Sequence, residues 1–440
     1  MRRLLFIFSF LSLLVVDGKA QEVETLTLED CLRIGIDNNL SLEGKRKEIQ
    51  KSKYGVSENR SKLLPQITVI AGYNNNFDPP VSVTDGSSYG VPYNITKTLQ
   101  HTANAGLEMQ MPLFNQTLYT SMSIAKVMEE ISRLSYGKAR EDIIMQISKM
   151  YYLGQVTAEQ IVLIKANITR LEELRDITQA FFDNGMSMEV DLKRVNINLE
   201  NLKVQYDNAQ AMMKQQLNML KYIMDYPAEK EFVLTPVNTD SITTVALTGL
   251  SENIYELQLS QSQVQLAEKQ KKIISNGYIP SLSLTGSWRY AAYTDKGYHW
   301  FHSGPSNHWF RSYGLGLTLR IPIFDGLDKT YKIKKAMIDI ENSKLAWENA
   351  RKSLQTQYLN AVNDLMNNQR NFKKQKDNYL LAEDVYTVTS DRYREGIASM
   401  TEVLQDEMQM SEAQNNYISA HYNYLSLIHI SEPTRPLYIS

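Results

Sequence analysis

The stretch Gly396 to Leu427 occurs twice in this chain, the first copy standing 211 positions earlier at Gly185 to Gln216. In the later copy a glycine turn is followed by Val403, Met410, Ala413, Tyr417, Ala420, Tyr424 and Leu427, on a rhythm of threes and fours. The earlier copy carries Leu192, Val195, Leu199, Leu202, Tyr206, Ala209 and Met213. Tyr206 falls on Tyr417 and Ala209 on Ala420, so register and period are both shared. A heptad seam of this kind buries itself only against another helix, with knobs set into holes. The spacing therefore predicts two halves built on one plan of paired helices.

The punctuation agrees with long elements, since 440 residues contain only 20 Gly and 12 Pro. Net charge is -2 with the charges interspersed, so no basic stripe of the kind a nucleic-acid binder needs is present. The single cysteine, Cys31, excludes an internal disulfide framework and a multi-cysteine metal site. It lies within a helical pattern and reads as a small buried apolar residue.

The opening Met1-Arg2-Arg3, the apolar run Leu4 to Val16 and the small-x-small site Gly18-Lys19-Ala20 predict a signal peptide over 1–20. The first repeat is expected over 21–226. It opens with a helix from Leu26 to Leu64, capped by Thr27 and stopped by Pro65. The period then changes to two: Ile67, Val69, Ala71 and Tyr73 alternate with polar or small residues, and after a polar loop so do Ala103, Ala105, Leu107, Met109 and Met111. Pro65 and Pro112 bound this strand pair, 66–112. A long helix pair over 117–226 follows, its first helix roughly 100 Å long if Gly137 and Gly154 do not break it. Residues 227–250 read as a connecting segment. The second repeat, 251–427, has a helix, a strand pair between Pro280 and Pro322, and a helix pair over 329–427. Past Leu427 the heptad stops, and Glu432-Pro433-Thr434-Arg435-Pro436 does not continue a helix. The segment 428–440 is expected to be a foreign tail, similar to translated sequencing-adapter sequence, on a truncated helix.

Four strands of about ten residues, each with one apolar and one polar face, are long enough to cross a bilayer at a barrel tilt. Four strands do not close a barrel. An open sheet in lipid leaves unpaired edge amides, so other copies of the chain must complete it. Trp288, Tyr290, Trp300, Phe301, Trp309, Phe310 and Tyr313 cluster where an outer interface would lie. A soluble sandwich with those aromatics inside is the competing reading of the strands.

This arrangement resembles the outer-membrane efflux protein family, the TolC-like ducts, over roughly residues 26 to 427. The residues carrying the resemblance are Leu26-Thr27-Leu28-Glu29-Asp30-Cys31-Leu32, Leu64-Pro65, Tyr278-Ile279-Pro280, the Pro-Leu/Ile-Phe steps at Pro112 and Pro322, and the glycine turns before Val190 and Val403. The resemblance implies a mixed α and β membrane protein whose homotrimer forms one 12-stranded barrel on a long α-helical barrel. It implies partnership with outer-membrane lipid, a periplasmic adaptor and an inner-membrane pump of the RND or ABC kind. It places a closed periplasmic tip at the turns Gly185 and Gly396. There Asp191 and Glu402 match acidic positions and Tyr393 an aromatic that helps hold the tip shut. Gln405 stands where members often carry a second acid, Ala398 where some carry a base, and Asp406 completes the candidate set. Read from their own positions, Asp191, Glu402 and Asp406 are also ordinary acids at helix N-termini.

No enzyme is expected. His299, His302 and His308 sit among loop aromatics with only Asp295 nearby, so no metal or other cofactor is assigned. No phosphate-cradling loop or nucleophile elbow occurs, so energy for transport must come from a partner. The reading from another class is a secreted coiled-coil scaffold that never enters a membrane. A simple porin leaves helices of this length unexplained.

Overall fold

The structure, a computed structural model, describes residues 24–236, 254–294 and 309–428. The leader, the later part of the connecting segment, His299, Trp300, Phe301, His302, His308 and the tail from 429 lie outside the described residues. The chain divides into two compact units. One comprises Met1–Leu40, Arg140–Thr248 and Tyr358–Ser440, the other Ser41–Ala139 and Gly249–Gln357.

The elements follow in the order β1 (Glu24–Leu26), α1 (Leu28–Asn38), α2 (Leu40–Ser61), β2 (Gln66–Asn75), β3 (Val81–Asp85), β4 (Tyr93–Lys97) and β5 (His101–Phe114). Next come α3 (Gln116–Asp183), α4 (Glu189–Met224), β6 (Phe232–Leu234), α5 (Tyr255–Ser275), β7 (Ser281–Thr294), β8 (Trp309–Arg320), α6 (Asp328–Arg394) and α7 (Met400–Ile428). Among the described residues no helix is long and apolar enough to cross a membrane.

In the first unit Thr27 caps α1 as expected, and with Asp30 it forms a reciprocal capping box of 3.2 and 3.3 Å bonds. The bonds from Thr27 hold the Asp30 carboxyl below its ordinary range. The single helix expected from Leu26 to Leu64 is instead two. Asn39 leaves helical geometry at φ -56° and ψ 119°, and its side-chain amide donates to the Ile223 carbonyl at 2.7 Å. Its backbone N–H still closes the α1 ladder on Gly35 O at 3.0 Å, so the side-chain bond anchors the break to α4 without costing a ladder bond. Leu26 belongs to β1, which pairs in parallel with β6.

The 68 residues of α3 run unbroken for about 100 Å. Its two glycines mark close approaches rather than weak points. A Cβ on Gly137 would come within 2.4 Å of the Tyr255 ring, and one on Gly154 within 2.6 Å of Leu234. The heptad seams meet as expected: Leu171 and Leu174 of α3, Val195 and Leu199 of α4, Tyr386 and Tyr393 of α6, and Val403 and Met410 of α7 share one buried cluster. Each such Leu contributes about 1.5–3 kcal/mol by leaving water.

In the second unit β2, β5, β7 and β8 form one antiparallel sheet in that order. The alternations read from sequence fall in register. Val69, Leu107, Trp288 and Tyr313 form one cross-strand row, and Ile67, Met109, Gly286 and Leu315 another. The row between them is Thr68, Glu108, Ser287 and Gly314, so one face is apolar and the other polar. Arg289 bridges to Glu108 at 2.7 Å on the polar face.

Two local features of this unit differ from expectation. The loop after β2 contains a hairpin, β3 with β4, whose Val81, Val83 and Ile95 alternate too briefly to stand out. Pro112 does not end its strand, because β5 continues to Phe114 with a register shift between Pro112 and Phe114. The last β2 partner of β5 is Gln110, so at Pro112 only β7 is alongside, an edge position of the kind where proline is tolerated. Pro65, Pro280 and Pro322 flank β2, β7 and β8 as expected.

Candidate functional site

The tips of the two helical hairpins are set by left-handed glycines. Gly185 has φ +73° and Gly396 φ +74°, a conformation that a side chain strains. At the first tip Gly185 N–H donates to Phe182 O at 2.9 Å and Met186 N–H to Phe181 O at 2.8 Å. At the second, Gly396 donates to Tyr393 O at 2.9 Å and Ile397 to Arg392 O at 2.8 Å. Both tips thus use the same helix-ending pair of bonds.

The returning helices differ at their starts. α7 opens with a capping box in which Glu402 N–H donates to Ser399 Oγ at 3.3 Å and Ser399 N–H donates to a Glu402 carboxylate oxygen at 3.1 Å. The Ser-x-x-Glu spacing is a sequence signal for this box. α4 has Met188 at its N-cap, with no side-chain cap. Its matching acid, Asp191, pairs instead with Arg194 at 3.3 Å. Arg194 also reaches the Thr401 hydroxyl at 3.5 Å, tying α4 to α7.

The candidate residues are therefore brought together in part. Asp191 is linked to the start of α7 through Arg194, while Glu402 is exposed and engaged in its own cap. Gln405 is exposed and Asp406 half-buried. Tyr393, only 6% exposed, lies against Phe181 with ring centroids 5.5 Å apart and points its hydroxyl at Thr178 Oγ1, 3.4 Å away. It clasps the end of α6 to α3.

Behind the tips lies a polar brace that apolar counting does not reveal. Arg170 of α3 binds Glu383 of α6 at 2.5 Å, and its other nitrogen lies 3.3 Å from the Met410 sulfur on α7. Asn167 donates to Gln414 at 2.6 Å. Further along, Glu159 accepts from Tyr417 at 2.7 Å and from His421 Nδ1 at 2.8 Å. Burial pushes the Glu159 carboxyl up, but these donated bonds outweigh it and hold the group below its usual range. Phe372 stacks on the His421 ring at 4.8 Å. The signal for this brace is the presence of polar residues on a buried seam.

Glu407, 5% exposed on α7, is different: burial alone holds its pKa up at about 6. The folded chain then holds this proton more tightly than the unfolded chain does. Stability falls as pH rises from the ordinary carboxylate range through about 6. Glu407→Gln is expected to raise the unfolding free energy read from the helical signal near neutral pH, by on the order of 2 kcal/mol, and to leave it unchanged near pH 4. Equal shifts at both pH values would contradict that assignment.

Comparison with known proteins finds a match to the family described as outer membrane efflux protein, over residues 34–224 and 239–427. The outer membrane protein TolC of Vibrio cholerae is 21% identical over 383 residues, covering 84% of this chain and 81% of its own. The alkaline protease secretion protein AprF of Pseudomonas aeruginosa is 19% identical over 439 residues, covering 97% and 87%. Among solved structures, the open state of the MtrE outer membrane channel of Neisseria gonorrhoeae superposes with a TM-score of 0.73 at 18% identity, covering 91% of this chain and 87% of that one.

Proposed function

This chain belongs to the outer membrane efflux protein family, and on that premise we propose that it is the exit duct of a tripartite efflux or type I secretion assembly, served by a periplasmic adaptor and an inner-membrane pump. It resides in the outer membrane and extends into the periplasm. The observation that carries the reading is the sheet. Its apolar residues line one face in register, and among the described residues neither β2 nor β8 has a second strand partner. In lipid each unpaired backbone group costs several kcal/mol. β8 runs antiparallel to β2, so β8 of one copy can continue into β2 of the next. Three copies of four strands would close a barrel of even strand number. The same trimer would set the helical hairpins side by side as a tunnel, and the polar strand face would line the lumen of the barrel. The pump supplies the energy, and the duct conducts passively.

In this reading the tips at Gly185 and Gly396 form the gate, with Tyr393 as clasp and Asp191, Glu402, Gln405 and Asp406 as its polar rim. A rim carboxylate repeated in three copies becomes a ring that favours cations. The test is single-channel current from the purified protein in planar bilayers. The variant Asp191→Ala with Glu402→Ala is expected to conduct more than the wild type, because it releases Arg194 from its carboxylate and removes the Glu402 half of the capping box that starts α7. Unchanged currents would remove the two acids from the gate. A wild type that never forms channels would remove the duct.

A further inference from the structure

Val403, Glu407, Met410, Gln414, Tyr417, His421 and Tyr424 follow one another along α7 at alternating steps of four and three, and every one is buried. One heptad row of this seam is therefore polar throughout: Glu407, Gln414 and His421. Two of its members are answered from α3, His421 by Glu159 at 2.8 Å and Gln414 by Asn167 at 2.6 Å. One heptad beyond Asn167 on α3 stands Leu174, buried and apolar, and the neighbouring Arg175 is already paired with Asp176 at 2.7 Å. Glu407, 5% exposed, makes no hydrogen bond or ion pair among the described residues. Burying a carboxylate without a partner is costly, and among the described residues no counter-charge answers Glu407.

The place it would occupy is open. A groove of about 920 Å³ runs between α4 and α7 past Glu407. Its walls carry Asn198, Asn201 and Gln205 from α4 and Ser411 from α7, with Leu202 and Met408 as apolar surface. The groove's one cation, Arg194, is already shared between Asp191 and Thr401. An ionised carboxylate only accepts, and amide oxygens accept too, so the complementary ligand donates and is positively charged. The apolar surface suits methylene groups. A divalent metal ion requires a shell of several oxygen ligands, and among the described residues no cluster of three ligating side chains occurs.

We propose that the groove between α4 and α7 binds an organic cation, a primary amine or guanidinium on an aliphatic stem, with Glu407 as its counter-charge. The cation comes either from a free amine or from a Lys or Arg side chain of a protein partner. Calorimetric titration of the full chain in detergent separates the two. The probes are cadaverine, with pentanol as its uncharged control, and a short amphipathic helical peptide bearing one Lys, with norleucine in its place as control. A charged probe is expected to saturate one site per chain while its control does not, and Glu407→Gln should weaken it about tenfold or more. Saturation by cadaverine assigns a free amine; saturation by the Lys peptide alone assigns a protein side chain. Glu407→Gln keeps the shape of the residue, and Asn201→Leu, which leaves the carboxylate in place, should weaken binding several-fold by removing an acceptor. If neither charged probe binds, or both bind Glu407→Gln as well as wild type, the groove is not a cation site.

Discussion

Leu317→Arg is expected to remove the protein from the outer membrane. Leu317 stands opposite Leu284 in the register of β7 and β8 and is 67% exposed, within the apolar series Tyr313, Leu315, Leu317, Leu319 and Ile321. A guanidinium at mid-depth on the lipid face of a barrel costs about 2–4 kcal/mol. In a trimer the cost is incurred three times, which is comparable with the whole stability of a typical domain. Thr318→Arg, one residue along, turns the same charge to the polar face and should leave assembly intact. Membrane fractionation of the two variants checks the assignment. If both insert equally, or both fail, the apolar face of this sheet is not the lipid face.

Tyr393→Ala should open the tip more than removal of the two acids does. The ring is buried against Phe181, and truncating a buried aromatic costs about 3–5 kcal/mol. That loss falls where α6 is held to α3, just before the Gly396 turn. Tyr393→Phe keeps the ring and gives up only a long 3.4 Å bond to Thr178, so it should conduct like the wild type. Larger single-channel currents and faster proteolytic nicking at the Gly185 and Gly396 turns are the expected readouts for the alanine variant. Equal behaviour of the two substitutions would show that the ring is not the clasp.

The features legible in the sequence were those with an intrinsic period. The duplicated seam and the alternation of Leu315, Leu317 and Leu319 follow from how helices and strands present side chains, so they predicted both the hairpins and the two-faced sheet. Features that depend on a distant partner were not legible. The break at Asn39 is anchored far along the chain, where the Ile223 carbonyl accepts from its side-chain amide. The brace of Arg170 on Glu383 joins residues 213 positions apart and has no local signature. The polar row Glu407, Gln414 and His421 was hidden for another reason. Apolar counting along α7 settles on Ala413 and Ala420 and passes over the buried polar residue beside each. The cap formed by Ser399 and Glu402 was readable from its spacing alone, and it gives Glu402 a structural task beside any role in gating.

A shared barrel requires β8 of one copy to meet β2 of another. Cysteines placed on these two strands, at Gly316 and in turn at Thr68, Ile70 and Gly72, test that meeting directly. The native Cys31 will not compete, since it is fully buried and burial pushes its thiol up to about 12. Oxidation in the membrane is expected to give, for at least one pair, linked dimers and trimers that stop at three chains. Links formed only within single chains, or a ladder that runs on past three, would contradict the shared barrel.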